Sequence, residues 1–267
     1  MLMTRLRANL VLPLAIMFLL TLVGCGQERN TVSAELESQV ETLELRSPNC
    51  ASPDACASVT IRRLVFSDRP ALNDAIYAQL LEQLQGNGES DSAPLNSLEK
   101  VAQKFLEDAD AVTVASAASW QLNGDAKLLA HHGNLLTVAI NSYLYTGGAH
   151  GMPVSHWLNW DLSRESAVAL GDVIVAGQEQ AFWTLAEEAH QQWLDAQQVD
   201  GDFRHNWPFT HSEDFRLTEA GLVLRYGVYT LGPYSMGEVE LTLPRDKLAG
   251  VIREPYLSAT GSSGDGN

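Results

Sequence analysis

Apolar residues recur along this chain at two spacings, which predict helices in some segments and strands in others. Three segments carry an apolar residue at about every fourth position, as one face of a helix does. These stripes are Leu72, Ile76, Leu80 and Leu84; Leu98, Val101, Phe105 and Ala109; and Ala181, Leu185, Ala189 and Trp193. Asp68 is the predicted N-cap of the first helix, with Pro70 in its first turn. Each stripe should face a core.

Other segments alternate apolar with polar residues or are rich in β-branched residues, as strands are. The predicted strands cover residues 42–46, 58–66, 119–122, 126–129, 135–145, 155–162, 222–226 and 239–243. Turn signals stand at residues 123–125 and 132–134. Pro244 ends the last strand, and a short final helix is predicted over residues 245–252. Helices packed on antiparallel sheets make the predicted fold class α+β, with two subdomains.

Two cysteines stand in a turn-rich segment between the first two predicted strands. Their spacing does not match the paired CxxC of zinc or redox sites, and no histidine is nearby. In an oxidising compartment we expect Cys50 and Cys56 to form a disulfide that staples a β-hairpin.

The N-terminus has the layout of a cleaved export signal. Arg5 and Arg7 precede an uncharged apolar run over about residues 10–22, which is too short for a good membrane span. An ordinary secretory signal and a lipoprotein signal both begin in this way. The residues that follow the run distinguish between them.

The sequence Leu22-Val23-Gly24-Cys25 resembles the lipobox of bacterial lipoproteins. This resemblance implies that the signal is removed before Cys25 and that Cys25 carries the lipid. Gly26, in place of aspartate, implies sorting to the outer membrane. We therefore expect a lipid-anchored protein at the periplasmic face of that membrane. The alternative is an ordinary secretory signal with an incidental cysteine.

The chain is acidic, with 33 Asp and Glu residues against 17 Lys and Arg and a formal net charge of −16. Such a surface repels a phosphate backbone, so nucleic acid is excluded as a partner. An acidic face can attract a cationic protein or peptide over long range. The alternative is that the acidity only keeps an exported domain in solution.

Several segments together resemble the extracytoplasmic domain of the RsiV anti-sigma factor. They are Tyr-Thr-Gly-Gly-Ala-His-Gly at residues 145–151, Leu-Gly-Asp-Val-Ile at 170–174, the segment 215–222 and the Gly-Pro-Tyr-Ser-Met-Gly turn at 232–237. The same pair of domains forms the non-catalytic N-terminal part of some peptidoglycan deacetylases. The resemblance covers residues 57–252 and implies an α+β cell-envelope domain that binds a partner, which is lysozyme for the anti-sigma factor.

Departures from these families narrow the expectation. A lipoprotein signal stands where the anti-sigma factor has a sigma-binding segment and a membrane span, and there is no room for a deacetylase domain. Sigma-factor signalling and amide hydrolysis are therefore not expected. The remaining expectation is a module, tethered to the membrane by its N-terminal lipid, that binds peptidoglycan or a cationic protein such as lysozyme.

The predicted organisation has five parts. They are a lipoprotein signal peptide (1–24), a flexible linker (25–40), an N-terminal α+β subdomain (41–150), a C-terminal RsiV-like α+β subdomain (151–256) and a disordered tail (257–267). The linker and the tail are polar and lack an apolar period, so neither offers a face to bury.

The glycine-rich segment that precedes residue 152 is the predicted binding loop. Glycine exposes backbone N–H groups, and an aromatic ring offers a surface for stacking. The predicted binding residues are Tyr145, Gly147, Gly148, His150, Gly151 and Tyr234. Tyr229 either joins this surface or packs in the core. The plainer alternative for the loop is a tight turn with His150 hydrogen-bonded beside it.

Motifs of catalysis are absent from the sequence. Neither HExxH nor GxSxG occurs. His150 and His156 flank different segments rather than one helix face, so no metal site, cofactor or catalytic residue is predicted. A hydrolase acting on peptidoglycan or acyl substrates remains the alternative to a binding module. A protein with a purely structural role in the envelope is the third possibility.

The tryptophans are candidates for sugar stacking. Trp157 and Trp160 lie in one predicted strand and should point to opposite faces, so at most one is expected in the core. Trp193 extends a helix stripe and should be buried. Trp207 stands in a loop with polar neighbours, where it either meets a ligand or fills the core.

Overall fold

The computed structural model describes residues 36–48, 50, 56–86, 94–112, 120–258 and 261–262. The predicted signal peptide, Cys25 and most of the predicted linker lie outside these residues. Within the described part of the chain, no helix has both the length and the apolar character needed to cross a membrane. Two sheets with packed helices confirm the predicted α+β class with two subdomains.

The larger sheet has its strands in sequence order. They are β1 (Ser38–Arg46), β2 (Ser58–Phe66), β3 (Gln121–His132), β4 (Leu135–Tyr145), β5 (Met152–Asp161) and β6 (Ser166–Ala167). All neighbours are antiparallel except β2 and β3, which are parallel because a helical crossover connects them. β5 and β6 continue this sheet beyond residue 150. A short strand, β10 (Gly261–Ser262), pairs with β3 inside the segment predicted to be a tail.

Two helices form the crossover and cover one face of this sheet. In α1 (Pro70–Gln85) all four residues of the predicted stripe are buried. In α2 (Leu98–Ala111) Leu98, Val101 and Ala109 are buried and Phe105 packs at the margin. The predicted N-cap of α1 is wrong, because the helix starts one residue later. Arg69 takes the cap position without a side-chain hydrogen bond.

The turn predicted at residues 123–125 is also wrong, since β3 runs straight through it. Gly124 is buried beneath α1. A Cβ atom there would lie 3.0 Å from Leu84 Cδ1 and 3.2 Å from Leu80 Cδ1. The glycine is therefore needed for close packing of the helix on the strand and not for a turn. The turn predicted at residues 132–134 is confirmed, and Gly133 has a φ of 60°.

The predicted hairpin of the first two strands is confirmed. β1 and β2 pair antiparallel from Ser38↔Phe66 to Arg46↔Ser58, and a Cys50–Cys56 disulfide lies in the connection between them, next to the Arg46↔Ser58 pair. The loop residues 51–55 are outside the described part of the chain. β1 begins at Ser38, so the pairing reaches into the segment predicted to be a linker.

The smaller sheet belongs to the C-terminal subdomain. It contains β7 (Phe215–Thr218), β8 (Gly221–Tyr226) and β9 (Val239–Pro244), all antiparallel, and is accompanied by α3 (Leu170–Val173), α4 (Glu179–Ala196), α5 (Gly201–Asn206) and α6 (Glu254–Ser258). The paired strands and the stop at Pro244 agree with the prediction. The final helix predicted over residues 245–252 is wrong, because a 3₁₀ turn (Arg245–Lys247) follows β9 and α6 starts later.

The long helix α4 packs on β9 with a face one position away from the predicted stripe. Its buried residues are Phe182, Ala186, Ala189, His190 and Leu194. Trp193 is only half-buried. Phe182 belongs to the core of the C-terminal subdomain, and Trp193 packs against the margin of that core.

The two subdomains meet across the second face of the larger sheet. Trp157 packs with Ala139 of β4 and Val223 of β8, whereas Trp160 lies in the core beneath α1. Both tryptophans are buried, each 6% exposed, so the prediction that at most one is core is wrong. The two rings do point to opposite faces. Both faces are covered, because the smaller sheet occupies the one that α1 and α2 leave open.

Candidate functional site

The predicted binding loop connects β4 to β5 at the end of their hairpin. Gly147 and Gly148 both have positive φ, 103° and 96°, which side chains other than glycine rarely adopt. The hydroxyl of Tyr145 donates to the Gly148 carbonyl over 3.2 Å, which holds the loop closed on itself. These three residues shape the loop.

Gly151 ends the loop under strong crowding. A Cβ atom there would lie 2.4 Å from Tyr143 Cζ and 2.7 Å from the Leu144 carbonyl oxygen. The backbone can therefore approach Tyr143 only at a glycine. The position of Gly151 against Tyr143 in turn sets the position of the preceding residue, His150.

An aromatic cluster stands over this loop. It consists of His150, Tyr229 and Tyr234. The His150 ring stacks on Tyr234 with centroids 3.7 Å apart and planes 16° apart, and the Tyr229 and Tyr234 centroids are 5.7 Å apart. Tyr234 also donates its hydroxyl to the Gly151 carbonyl over 2.9 Å. The cluster thus joins the loop to the 3₁₀ turn Tyr234–Met236 of the C-terminal subdomain.

Hydrogen bonds define the tautomer of the His150 ring. Its Nδ1 lies 3.1 Å from the Gly151 carbonyl oxygen, which can only accept, so Nδ1 carries the proton when the ring is neutral. Nε2 is then the acceptor and faces the Tyr229 hydroxyl at 3.4 Å. Tyr229 is the outermost ring of the cluster, 46% exposed, and its backbone has a φ of 63°. A tyrosine at positive φ with an exposed ring is uncommon and suits a recognition surface.

The structure therefore brings His150, Gly151 and Tyr234 of the predicted set into contact. Tyr145, Gly147 and Gly148 lie in the adjoining loop, and Tyr229 joins the surface rather than the core. His150 and His156 are not joined by further ligands, and no group of three or more His, Cys, Asp or Glu residues that could hold a metal ion is found in the described ranges.

A buried ion network lies next to this cluster, and the sequence did not predict it. Arg225 of β8 is 3% exposed and pairs with Asp214 over 2.7 Å and with Glu238 over 2.9 Å. Its guanidinium also donates to the Ser155 carbonyl of β5 and lies 5.5 Å from the Trp157 ring centroid. Asp214 and Glu238 are 11 and 13 residues from Arg225, whereas Ser155 is 70 residues away and is brought there by packing of the two sheets.

Asp214 is the second centre of the network. It accepts hydrogen bonds from His156 Nδ1 over 2.7 Å and from the Trp157 backbone N–H over 3.1 Å, as well as from Arg225. Burial raises the pKa of the Asp214 carboxyl, but the hydrogen bond and charge of His156, with Arg225 and the Trp157 N–H, outweigh burial and hold the pKa below its usual range. Asp214 is therefore ionised over the physiological pH range.

A cleft opens beside the network, and Ser155, Asp214 and Arg225 are among its lining residues. Its volume is about 300 Å³, and it is lined by the start of β5 (residues 152–155), by His211, Ser212 and Asp214, and by residues 225–228 with Thr230. Tyr229 stands between two lining residues, Val228 and Thr230, and Gly151 adjoins a third, Met152. The aromatic cluster therefore adjoins the cleft along the chain, although its three rings are not among the lining residues.

One lining residue, His211, belongs to a second aromatic pair. The exposed His211 ring lies parallel to Trp183 of α4, with centroids 3.7 Å apart and planes 3° apart. Trp207, for which a ligand contact was one alternative, is half-buried and lies 6.3 Å from the Phe203 ring. The sequence offered no signal for the His211–Trp183 pair, because the two residues belong to separate elements.

Comparisons with known proteins connect this fold to two families. Residues 171–246 match the family described as Protein of unknown function (DUF3298), and residues 50–153 match the family described as Deacetylase PdaC. The peptidoglycan-N-acetylmuramic acid deacetylase PdaC of Bacillus subtilis (strain 168) is 22% identical over 179 residues, which is 64% of this chain. The chain spans 38% of the length of that curated relative.

Solved structures extend the comparison over most of the chain. A DUF3298 family protein from Pseudomonas aeruginosa PAO1 is 33% identical and superposes with a TM-score of 0.71 over 84% of this chain and 96% of that one. A member of the same family from Bacteroides fragilis NCTC 9343 is 20% identical, with a TM-score of 0.65 over the same shares. The second likeness concerns the fold alone.

Asp214→Asn should destabilise the protein by about 3 kcal/mol at pH 7, because it removes a charged partner from the buried Arg225. The pKa of Asp214 is lowered by folding, so its contribution is present above the unfolded pKa, about 3.9, and is lost as pH falls through the folded pKa. Urea unfolding of both proteins from pH 7 down to the acid limit should show the difference shrinking below about pH 3.9.

Glu240→Gln is the matched control. Glu240 pairs with Arg216 at the surface, with 45% of its side chain exposed, so its loss should cost less than about 1 kcal/mol. An Asp214→Asn variant as stable as the Glu240→Gln variant at pH 7 would contradict the role given to the buried network.

Proposed function

The chain belongs to the DUF3298 family, and we propose that it is a cell-envelope protein that binds a glycan partner, with peptidoglycan as the first candidate. The aromatic cluster of His150, Tyr229 and Tyr234 is the observation that supports this proposal most directly. Exposed aromatic faces that border a cleft with a few polar groups are typical of sites for small polar ligands such as sugars.

The cluster has the rigidity that recognition requires. Tyr229 is exposed, yet its ring contacts His150, and His150 is stacked on Tyr234, which is hydrogen-bonded to the backbone of Gly151. A sugar ring placed on Tyr229 would therefore meet a preformed surface and would not have to order it. Preorganisation of this kind reduces the entropic cost of binding.

The similarity to PdaC supports the envelope and peptidoglycan context. That relative is named as a deacetylase of peptidoglycan, and this chain spans 38% of its length. A part of the relative other than its catalytic centre would account for the match, as the resemblance to non-catalytic deacetylase modules implies. Binding is accordingly proposed in place of deacetylation.

The hydrolase alternative has a weaker basis in the geometry. The described contacts of His150 are a backbone carbonyl and two tyrosine rings, and they include no carboxylate to orient the ring as in a catalytic triad. His156 does pair with a carboxylate, Asp214, but that carboxylate is also bound by Arg225 within the network that joins the subdomains. Release of soluble sugar products from peptidoglycan by the purified protein would support hydrolysis over binding.

Tyr229→Ala should weaken binding to purified peptidoglycan sacculi by about ten-fold, because it removes the exposed stacking face. Tyr229→Phe should bind almost normally, since the ring remains and only the hydroxyl contact with His150 is lost. The measurement is the fraction of protein that cosediments with sacculi at increasing sacculus concentration.

Val40→Ala is the control for loss of exposed apolar surface. Val40 is 58% exposed and lies on β1, at the far edge of the larger sheet from β5. The proposal is overturned if the unmodified protein does not cosediment, or if Tyr229→Ala binds as well as Val40→Ala.

A cationic protein of the lysozyme-type muramidase class is the second candidate partner. The net charge of −16 and the resemblance to the RsiV extracytoplasmic domain favour it. Calorimetry with hen-type lysozyme should show binding that weakens at the higher of two salt concentrations, with inhibition of muramidase activity. Glu213→Lys, beside the cleft, should weaken it more than Glu82→Lys on the exposed side of α1. Absence of binding at low salt would eliminate this candidate.

We further propose that a lipid on Cys25 holds the protein at the periplasmic face of the outer membrane. The lipobox resemblance supports this, and more than one acyl chain would make the attachment effectively permanent. Cys25→Ser should abolish incorporation of labelled palmitate and move the protein from the membrane fraction to the periplasmic fraction. An unlabelled wild-type protein would disprove lipidation, and a label confined to inner-membrane fractions would disprove the sorting.

A further inference from the structure

We infer that the start of β5 is a docking edge for a short, extended and basic peptide segment of a partner protein, which adds to the larger sheet as an extra strand. The inference rests on the cationic-protein candidate of the proposed function and names the part of that partner which is recognised. In strand addition, main-chain hydrogen bonds supply affinity and contacts with alternate side chains supply specificity.

Backbone groups at the start of β5 point away from β4, towards the open edge. The Trp157 N–H donates to Asp214 and the Ser155 carbonyl accepts from Arg225, so alternate residues direct their groups outwards. Because this direction alternates along an antiparallel strand, the Ser155 N–H and the Pro153 carbonyl point to the same edge. Neither group has a hydrogen-bond partner among the described residues.

The cleft runs along this edge. Four consecutive residues of β5, 152–155, line it, although successive side chains of a strand point to opposite faces. A cleft lined by all four therefore follows the backbone of the strand and does not lie over one face of the sheet. Its other lining residues lie between positions 211 and 230, in the C-terminal subdomain. The slot between them is where an added strand would lie.

Only a short segment can pair here. The Ser155 carbonyl is occupied by Arg225, the Trp157 N–H is occupied by Asp214, and proline has no N–H at position 153. An incoming peptide can therefore make two main-chain hydrogen bonds at this edge. It donates to the Pro153 carbonyl and accepts from the Ser155 N–H. Four residues of a strand span about 13 Å, which sets the length of the docked segment.

Exposed apolar side chains lie beside these two groups. Met152 and Val154 are 41% and 49% exposed and share one face of β5, and Leu144, the β4 partner of Met152, is 44% exposed. Adjoining exposed apolar residues mark interaction sites. Since cross-strand neighbours share a face, these side chains would contact apolar residues at alternate positions of the added strand.

The charges at this edge favour a basic segment. Glu238 accepts a hydrogen bond from Ser155 Oγ over 2.9 Å and is partly exposed. It shares the Arg225 guanidinium with Asp214, so the positive charge of that residue is already balanced. Glu213, next to Asp214, is exposed. A lysine or arginine of the peptide would be attracted to these carboxylates, and an acidic peptide would be repelled.

Calorimetry with capped eight-residue peptides tests the chemistry of the segment. One peptide alternates valine with lysine, and its acidic counterpart alternates valine with glutamate. The protein should bind the lysine peptide at least about ten-fold more tightly than the glutamate peptide. Equal binding of the two, or no binding of the lysine peptide at low salt, would overturn the inference.

Backbone N-methylation of the lysine peptide tests strand addition itself, because it removes N–H donors and keeps the side chains. In an extended peptide the valine N–H groups point to one edge and the lysine N–H groups to the other. Methylation of one set should weaken binding by about ten-fold, and methylation of the other by less than about two-fold. Loss at the valines indicates parallel addition, and loss at the lysines indicates antiparallel addition. Similar effects of both sets would contradict strand addition.

Val154→Lys tests the location. It should weaken binding of the lysine peptide by about ten-fold, because it adds a like charge and removes an apolar contact. Val40→Lys is the matched control, since it makes the same change on β1, the opposite edge strand of the sheet, at a position 58% exposed. It should change the affinity by less than about two-fold. A larger effect of Val40→Lys than of Val154→Lys would place the peptide elsewhere and disprove the docking edge.

The outcomes distinguish failure of the inference from failure of the proposed function. If lysozyme binds and Glu213→Lys weakens it, but the lysine peptide does not bind, the cationic partner stands and the docking edge is disproved. If neither lysozyme nor the lysine peptide binds, both are disproved. If the lysine peptide binds with the expected pattern and lysozyme does not, the docking edge is supported and lysozyme is eliminated as its partner.

Discussion

A single buried guanidinium, that of Arg225, connects the two subdomains, and the geometry of the candidate site depends on it. It joins β8 to the Ser155 carbonyl of β5, pairs with Asp214 and Glu238, and lies against the Trp157 ring. Burying such a charge is favourable only when its partners are complete, and removal of one partner costs several kcal/mol, about 3–5 in typical cases. The network therefore fixes one relative position of the two sheets, where apolar packing of Trp157 on Val223 alone would tolerate small shifts.

The same arrangement of the two sheets also protects an exposed strand edge of the larger sheet. Over most of its length β5 is an edge strand, since β6 pairs only with Trp160 and Asp161. The Asp214 carboxylate accepts a hydrogen bond from the Trp157 N–H, and the Arg225 guanidinium donates one to the Ser155 carbonyl. These two side chains therefore make hydrogen bonds that a neighbouring strand would otherwise make. Pro153 offers no N–H to an incoming strand, which further protects the edge. The cleft lies along residues 152–155 of β5, at the end of the strand where these side-chain hydrogen bonds stop.

The aromatic cluster and the cleft are consequences of the same arrangement. The hairpin loop reaches Tyr234 because Gly151 lets the backbone approach Tyr143 closely, and Tyr229 projects because its backbone adopts a positive φ. Neither feature contributes to the two large cores, which lie beneath α1 and beneath α4. The residues that hold the fold and the residues offered for recognition are thus largely separate, and Arg225 is the residue that belongs to both.

The sequence by itself determined the features that depend on residues close to one another in the chain. Helix stripes such as Leu72 to Leu84, the hairpin that ends at Gly133, the disulfide of Cys50 with Cys56 and the glycine-rich loop before Met152 all follow from residues close together in the chain. The α+β class follows from their sum. Tertiary structure decided the features that depend on which elements pack against each other. Gly124 lies under a helix and not in a turn, and both Trp157 and Trp160 are buried. Asp214, Arg225 and His211 line one cleft. Contacts such as those of Gly124 with Leu84 and of Trp157 with Val223 join residues tens of positions apart. Periodicity indicates that a segment has an apolar face but carries no information about which segment covers that face.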